Sequence, residues 1–380
     1  MARKLKSDRA LFIATILLVG LSIVMVYSAS APMALQKYGT ASMFLVRQGM
    51  WALLGLSMLY VSMRIDYRNY REPAFIWTCL FLVAIGLVAV LFGSPVNGAR
   101  RWFGVGGIGI QPSEVAKLTA IFFIAAILER RIHRIDEMYA LVPIGVTVLA
   151  LVGLILAEPD FGTSMSLLLI AVVMVCAAGL NYRYIIGVCL ASLPAIYLIV
   201  MGSAYRRRRT LAFLNPWDDP LGDGFQIIQS LIAVGTGGVW GRGLMNGVQK
   251  LFYLPEPHTD FIYSVISEEL GLIGATAVLA CFAIVAWRGL RVSLLAPDAF
   301  GAFLALGLTT MVAIQAFVNI SVVLGLMPTK GTPLPFVSAG GSSLVINLIG
   351  MGILLNVSQH AALGTAAQSA RPPSPTPAET

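Results

Sequence analysis

Ten runs of about 20 apolar residues, centred near positions 19, 54, 82, 122, 148, 171, 193, 275, 312 and 350, dominate this chain of 380 residues. The hydrocarbon core of a bilayer is about 30 Å thick and an α-helix rises about 1.5 Å per residue, so each run is long enough to cross it. The expected fold is an all-α, polytopic membrane bundle of ten transmembrane helices. Composition agrees: 58% of residues are hydrophobic and only 12% charged, against about 25% charged in a soluble domain, and mean hydropathy is +0.83.

An even number of spans returns both termini to one side. With the N-terminus placed in the cytoplasm, the inside segments collect Arg3, Lys4, Lys6, Arg9, Arg64, Arg68, Arg71, Arg130, Arg131, Arg134, Arg183, Arg288, Arg291 and Arg371, which is 14 of the 26 basic residues. Nearly all lie in short connections, where the positive-inside rule operates. The exception is "RRRR" at 206–209, in a connection from Ala204 to Phe261 that is long enough for charge to have little say in its translocation. Within it, "FQIIQSLIAVGTGGVWG" is apolar but glycine-broken and short for a span, as expected of an interfacial or re-entrant segment. The chain is expected to divide into a cytoplasmic tail (1–9), a membrane domain (10–362) with a large external loop (204–261), and a disordered cytoplasmic tail (363–380) rich in Pro, Ser, Thr and Ala with nothing to bury.

Other classes are excluded by the same reading. The basic residues are scattered among helix-flanking loops, with no basic helix or aromatic-basic surface, so no nucleic acid is expected. Cys79, Cys176, Cys189 and Cys281 all fall in apolar runs without CxxC spacing or a nearby histidine, which argues against disulfides and zinc. "MARKLKSDR" followed by an apolar run and "ASA" imitates a signal peptide, but the run is longer than a signal core of about 7 to 15 residues and reads as a retained first helix.

Charge at a membrane face is expensive and tends to be functional. Four clusters fall on the outer side of this topology. "NGARRWFGVGGIGIQPSEVAKL" supplies Arg100 and Arg101 in a loop, then Glu114 and Lys117 three residues apart on one face of span four. "EPDFGTSM" places Glu158 and Asp160 between spans five and six, and the long loop ends in "HTDF" with His258 and Asp260. "PTKGTPLPFVSAGGSSL" contributes Lys330 and then Ser342 and Ser343 at the start of the last span.

Singly, each has a structural explanation. Glu114 and Lys117 can neutralise each other, "RRRR" can anchor to headgroups, and "GGSS" can be a capped helix start. Their gathering at one face is what those explanations leave out. There, a lipid-linked anionic substrate would meet cations for a pyrophosphate leaving group at Arg100, Arg101, Lys330 or 206–209, and Asp260 as a base for an attacking sugar hydroxyl. A divalent cation, Mg²⁺ or Mn²⁺, held by Asp260 is the other role open to that carboxylate.

"NGARRW", "QPSEVAKL", "EPDFGTSM", "FLNPWDDPLGDGFQIIQSL", "GVQKLFYLPEPHTDFIYSVISEELGLIG" and "KGTPLPFVSAGGSSL", in this order, resemble the SEDS family, the FtsW and RodA peptidoglycan polymerases, over residues 10 to 360. The resemblance implies ten helices, cytoplasmic termini in the cytoplasmic (inner) membrane, and a large external loop between spans seven and eight. It implies a glycosyltransferase that joins lipid II units outside that membrane and releases undecaprenyl diphosphate, working with a class B penicillin-binding protein and other divisome proteins. It carries the essential aspartate to Asp260, the "PSE" glutamate and following lysine to Glu114 and Lys117, and the "PDFGT" aspartate to Asp160.

"QSLIAVGTGG" and "QKLFYLPE" resemble the division-type FtsW more than RodA. Two departures from the family pattern, Ala339 within "SAGGSS" and Met245 with Gly247 in "GRGLMNGVQK", remove no titratable group. Glu268 and Glu269, two turns into span eight, are expected to brace that helix; side chains about 100° apart would leave at most one facing any given cavity. The competing class is a lipid II flippase, which would set its charges at the midplane, often on broken helices of repeated halves.

Overall fold

The computed structural model describes residues 7–93, 100–105, 108–132, 138–181, 204–222, 224–329 and 331–369, with scattered positions between 183 and 202. Helices α1 (Arg9–Tyr38), α2 (Met43–Arg64) and α3 (Pro73–Val90) lead to a short hairpin of β1 (Phe103–Val105) and β2 (Ile108–Ile110). Then come α4 (Pro112–Arg131), α5 (Met138–Ala157) and α6 (Phe161–Ala177). The long connection holds α7 (Ala204–Leu214) and α8 (Phe225–Thr236), and α9 (Ile262–Leu294), α10 (Ala299–Val323) and α11 (Gly341–Ser369) complete the bundle.

Nine of the ten expected spans fall on these helices. The run around residue 193 lies mostly outside the described residues. Among the described residues, six helices are long and apolar enough to cross a membrane: α1, α2, α3, α9, α10 and the 341–361 part of α11. Helices α5 and α6 are shorter apolar segments, and α4 is made less apolar by Glu114, Lys117, Glu129, Arg130 and Arg131.

Local sequence sets the helix ends. Pro73 and Pro112 open α3 and α4, where a missing N–H costs nothing and the fixed φ is already helical. Asp8, Asp160 and Asp298 cap α1, α6 and α10 by accepting from the N–H of Leu11, Thr163 and Gly301. Gly39 ends α1 at φ +71°, in the left-handed region that favours glycine.

The centre is built from α4, α10 and α11: 78% of the spanning window of α11 and 67% of that of α10 are buried, against 22% for α2. Helix α11 packs on α2, α10 on α4, α6 and α9, and α1 on α9. Leu53, Trp77, Phe81, Leu149 and Trp287 face outward from the periphery, as apolar side chains do when lipid rather than water surrounds them.

Two features were not expected. The segment after Arg101, read as loop, is an antiparallel hairpin with Phe103 opposite Ile110. Its strands are three residues long and full of glycine, too short for an alternating pattern to show. The second is a break in α9 at Gly271 (φ +66°, ψ −164°). There Leu272 N donates to Gly238 O instead of into its own helix, and Glu268 O and Glu269 O accept from Arg242 N and Gly243 N. The 237–243 segment thus satisfies the backbone groups that the break frees, as irregular backbone within a membrane bundle requires.

Only glycine permits that approach. A Cβ on Gly237 would sit 1.9 Å from Ser267 O, and one on Gly241 2.2 Å from Glu269 O. The glycine-broken run in the long loop is therefore a backbone-to-backbone seam, following a helix of 12 residues that is short for a span.

Candidate active site

Helices α4, α6, α9 and α11 begin at Pro112, Phe161, Ile262 and Gly341, and the segments leading into them converge on one cavity of about 170 Å³. Arg101, Glu114, Lys117, Asp160, Asp260 and Ser343 line it. The unpaired N–H groups and the positive dipole ends at these helix starts favour negative charge nearby.

Glu114 and Lys117 form a buried ion pair, Nζ to Oε1 at 2.9 Å, with Lys117 only 1% exposed. Ser343 Oγ donates to the second oxygen, Glu114 Oε2, at 3.2 Å, and Asn347 Nδ2 donates to Ser343 O at 2.8 Å. An ammonium has three donors; among the described residues Glu114 takes one, leaving Lys117 the capacity to bind an anion in the cavity.

Asp160 is committed to structure. It accepts from Thr163 N (3.0 Å), Thr163 Oγ1 (2.8 Å) and Gln111 Nε2 (2.9 Å), and its carboxylate stands 3.9 Å from the Arg101 guanidinium. It thereby caps α6 and steers Arg101 toward the cavity. Glu158, two residues earlier in the turn between α5 and α6, is fully buried with neither oxygen bonded among the described residues. Burial first, and the Asp160 charge second, push its carboxyl up to about 8 against the opposing effect of Arg101.

Asp260 is partly exposed, two residues before α9. Asn319 on α10 fixes its backbone, donating to Asp260 O at 2.8 Å and to Thr332 O at 2.7 Å. A Cβ on Gly331 would lie 2.7 Å from Asp260 Oδ2, so the loop before α11 runs directly against the carboxylate. Gln315 Oε1 and Thr332 Oγ1, buried and without partners among the described residues, also line this cavity.

The remaining expected residues lie elsewhere. Arg100 turns away, donating to Leu91 O at 3.0 Å near the end of α3, because the carbonyls left open by a helix C-terminus attract a guanidinium. Ser342 Oγ accepts from Gln111 N at 3.3 Å and ties the hairpin to α11. His258 lines a second, adjoining cavity. Lys330 falls outside the described residues. Arg207 and Arg208 are exposed on α7 and do not line the cavity.

Glu268 and Glu269 brace α9, and neither lines the cavity around Asp260. Both hold the 242–250 segment. Glu268 accepts from Val248 N (2.8 Å) and Gln249 N (3.2 Å), while Glu269 pairs with Lys250 (2.6 Å) and accepts from Ser28 Oγ (2.7 Å) and Met245 N (3.1 Å). The loop curls over the broken helix, so side chains 100° apart meet one partner. Gly247 leaves them room, since a Cβ there would be 2.9 Å from Glu269 Oε1. The sequence signal was the set of glycines at 237, 241, 247 and 271.

No three His, Cys, Asp or Glu side chains converge among the described residues, so a protein-only metal cage is not formed there. A single carboxylate beside room for substrate oxygens and water is nonetheless how Mg²⁺ is often held, and Asp260 fits that pattern.

The family model for the FtsW/RodA/SpoVE cell cycle proteins matches residues 8–363. The chain belongs to this family. Among its relatives, "Probable peptidoglycan glycosyltransferase FtsW" of Geobacter sulfurreducens is 46% identical over 354 residues, 92% of this chain and 95% of that one. "Stage V sporulation protein E" of Bacillus subtilis is 42% identical over 94% of this chain and 98% of its own. A solved structure described as "Structural coordination of polymerization and crosslinking by a peptidoglycan synthase complex" superposes with a TM-score of 0.78 at 30% identity, covering 94% of this chain and 99% of that one. The crystal structure of RodA from Thermus thermophilus gives 0.69 at 28% identity, over 93% and 97%. Family membership and the apolar helices make the protein a multi-pass membrane protein of the SEDS class.

Proposed function

We propose that this protein is a division-type peptidoglycan glycosyltransferase that polymerises lipid II at the outer face of the cytoplasmic membrane, with both termini in the cytoplasm. The observation that carries the site assignment is the convergence of Asp260 with Arg101 and Lys117 on one cavity at four helix starts. Similarity to FtsW-named relatives at 46% identity, against 28% to RodA of known structure, supports the division type over the elongation type.

In this mechanism the sugar hydroxyl of one lipid-linked disaccharide attacks the anomeric carbon of another. The new C–O bond forms as the bond to undecaprenyl diphosphate breaks. The hydroxyl proton passes to the Asp260 carboxylate, and the leaving diphosphate takes the electron pair, with Arg101 and Lys117 neutralising the charge that develops. Glu114 holds Lys117 in place, and Asp160 holds Arg101. A Mg²⁺ or Mn²⁺ ion, when bound, would be held by Asp260 and would supply further neutralisation of the diphosphate. A class B penicillin-binding protein is the proposed partner, alongside other divisome proteins; similarity to a structure described as a peptidoglycan synthase complex supports it.

The break at Gly271 favours a second reading, a lipid II flippase, because transporters bind cargo at interrupted helices. Here, however, the backbone groups at the break and the Glu268 and Glu269 carboxylates are taken up by the protein's own loop.

The test is polymerisation of labelled lipid II by the purified protein with its cognate transpeptidase, wild type beside Asp260→Asn, both checked for folding and partner binding. Glycan from the wild type and none from the variant is expected. Undiminished glycan from the variant would overturn the role of Asp260, and no glycan from an intact wild-type complex would restore the flippase.

A further inference from the structure

Asp260 sits in a tight turn whose backbone is strained. Glu256 stands at φ +50°, in the left-handed region that favours glycine, and its carbonyl accepts from both Thr259 N and Phe261 N. The segment facing the turn repeats the pattern, with Phe336 at φ +64°. Backbone of this kind persists only where its surroundings over-determine it.

What holds the turn is found at its carbonyls. Three in succession accept from three different donors: His258 O from Ala339 N at 2.9 Å, Thr259 O from Ser338 Oγ, and Asp260 O from Asn319 Nδ2 at 2.8 Å. Both of these side chains are fixed in turn to the segment before α11. Ser338 Oγ accepts from Leu334 N at 2.8 Å, and Asn319 Nδ2 also donates to Thr332 O at 2.7 Å. Two carbonyls can be met only by the amino group of Asn319, which determines how its amide lies. Asn319 is 1% exposed and Ser338 3%, and neither side chain lines the Asp260 cavity.

We propose that Asn319 and Ser338 are positioning residues of the transfer reaction. Acting through backbone carbonyls alone, they pin the turn to the segment before α11 and so fix where the Asp260 carboxylate stands. A hydroxyl proton passes to a carboxylate only within hydrogen-bond reach, and a displacement of about 1 Å can cost on the order of 100-fold in rate. A turn released at Thr259 O or Asp260 O is free to relax toward ordinary φ at Glu256, and the carboxylate moves with it. Arg101 and Lys117 are held by other elements, so the loss falls on turnover rather than on substrate binding. The inference rests on the role given to Asp260 above.

The test compares Asn319→Ala with Asn356→Ala, each purified with its cognate transpeptidase. Asn356 makes a double contact of the same kind far along α11, accepting from Tyr67 N at 2.9 Å and donating to Met63 O at 3.0 Å, and lines neither cavity. Both variants should lower the melting temperature. Only Asn319→Ala is expected to lower kcat for lipid II polymerisation, by about 100-fold, with KM within about threefold of wild type. Ser338→Ala should lower kcat about tenfold or more and Ser338→Thr, which keeps the hydroxyl, should recover most of it; this pair decides the question where Asn319→Ala does not fold. Wild-type kcat in Ser338→Ala or in folded Asn319→Ala would overturn the proposal, as would an equal loss of kcat in Asn356→Ala. Asp260→Asn, run in parallel, separates the two readings. An active Asp260→Asn removes the role of Asp260 and this inference with it, whereas an inactive one beside a fully active Asn319→Ala removes the positioning alone.

Discussion

Among the described residues, two buried lysine–glutamate pairs look alike on paper. Lys117–Glu114 joins residues three apart on one helix, at 2.9 Å, and lines the Asp260 cavity; Lys250–Glu269 joins a loop to a helix, at 2.6 Å, and does not line that cavity. Around Glu269 the remaining contacts come from the protein: Ser28 Oγ donates to the carboxylate and Lys250 also donates to Ser28. Around Lys117, ammonium donors are left over among the described residues. A buried charge pair is weak evidence for stability or for function by itself; what distinguishes these two is whether the protein uses up their hydrogen-bonding capacity.

Removing each pair as a unit sharpens the contrast most. Glu114→Gln with Lys117→Met is expected to cut lipid II polymerisation by about 100-fold or more, the scale of losing a charge-stabilising group, with the melting temperature nearly kept. Glu269→Gln with Lys250→Met should keep most of the activity. Equal loss in both would break the distinction.

Next in size is the single change Lys250→Met, which strands a buried carboxylate and should cost about 3–5 kcal/mol, read as a fall in chemical-denaturation midpoint. Gly241→Ala should follow at about 1–3 kcal/mol, since its φ of +78° and the nearby Glu269 O both oppose a side chain. A wild-type denaturation profile for Gly241→Ala would show the seam to be loose.

A pH dependence is expected at Glu158. Its folded pKa of about 8 lies above the ordinary 4.5, so the stabilisation is complete below the ordinary value and is lost as pH rises through about 8. Melting temperature should therefore fall between about pH 4.5 and about pH 8 in the wild type and level off above that, and Glu158→Gln should remove the fall. A variant that falls in parallel with the wild type would assign the effect to another group.

Much of this was legible in the sequence because membrane physics leaves strong marks. Span length located nine helices, the topology put four polar clusters on one face, and the three-residue spacing of Glu114 and Lys117 predicted their pairing. Long-range geometry was less visible. That Arg100 caps α3 while Arg101 enters the cavity depends on a hairpin too short to show a strand pattern. The Lys250–Glu269 clamp crosses a helix break set by Gly271, and an isolated glycine in an apolar run does not announce one. Nothing in the sequence marks Asn319 and Ser338 as partners of Asp260 O and Thr259 O, which lie 59 and 79 residues away along the chain.

The central claim is that glycosyl transfer occurs at Asp260, and the most direct measurement is product balance in one reaction. Lipid II carrying separate labels on sugar and lipid is supplied to wild-type and Asp260→Asn complexes with equal partner content, and glycan and undecaprenyl diphosphate are counted together. The expected result is one undecaprenyl diphosphate released for each disaccharide joined by the wild type, and neither product from a variant that still binds lipid II. Both products at wild-type levels from Asp260→Asn would contradict the claim.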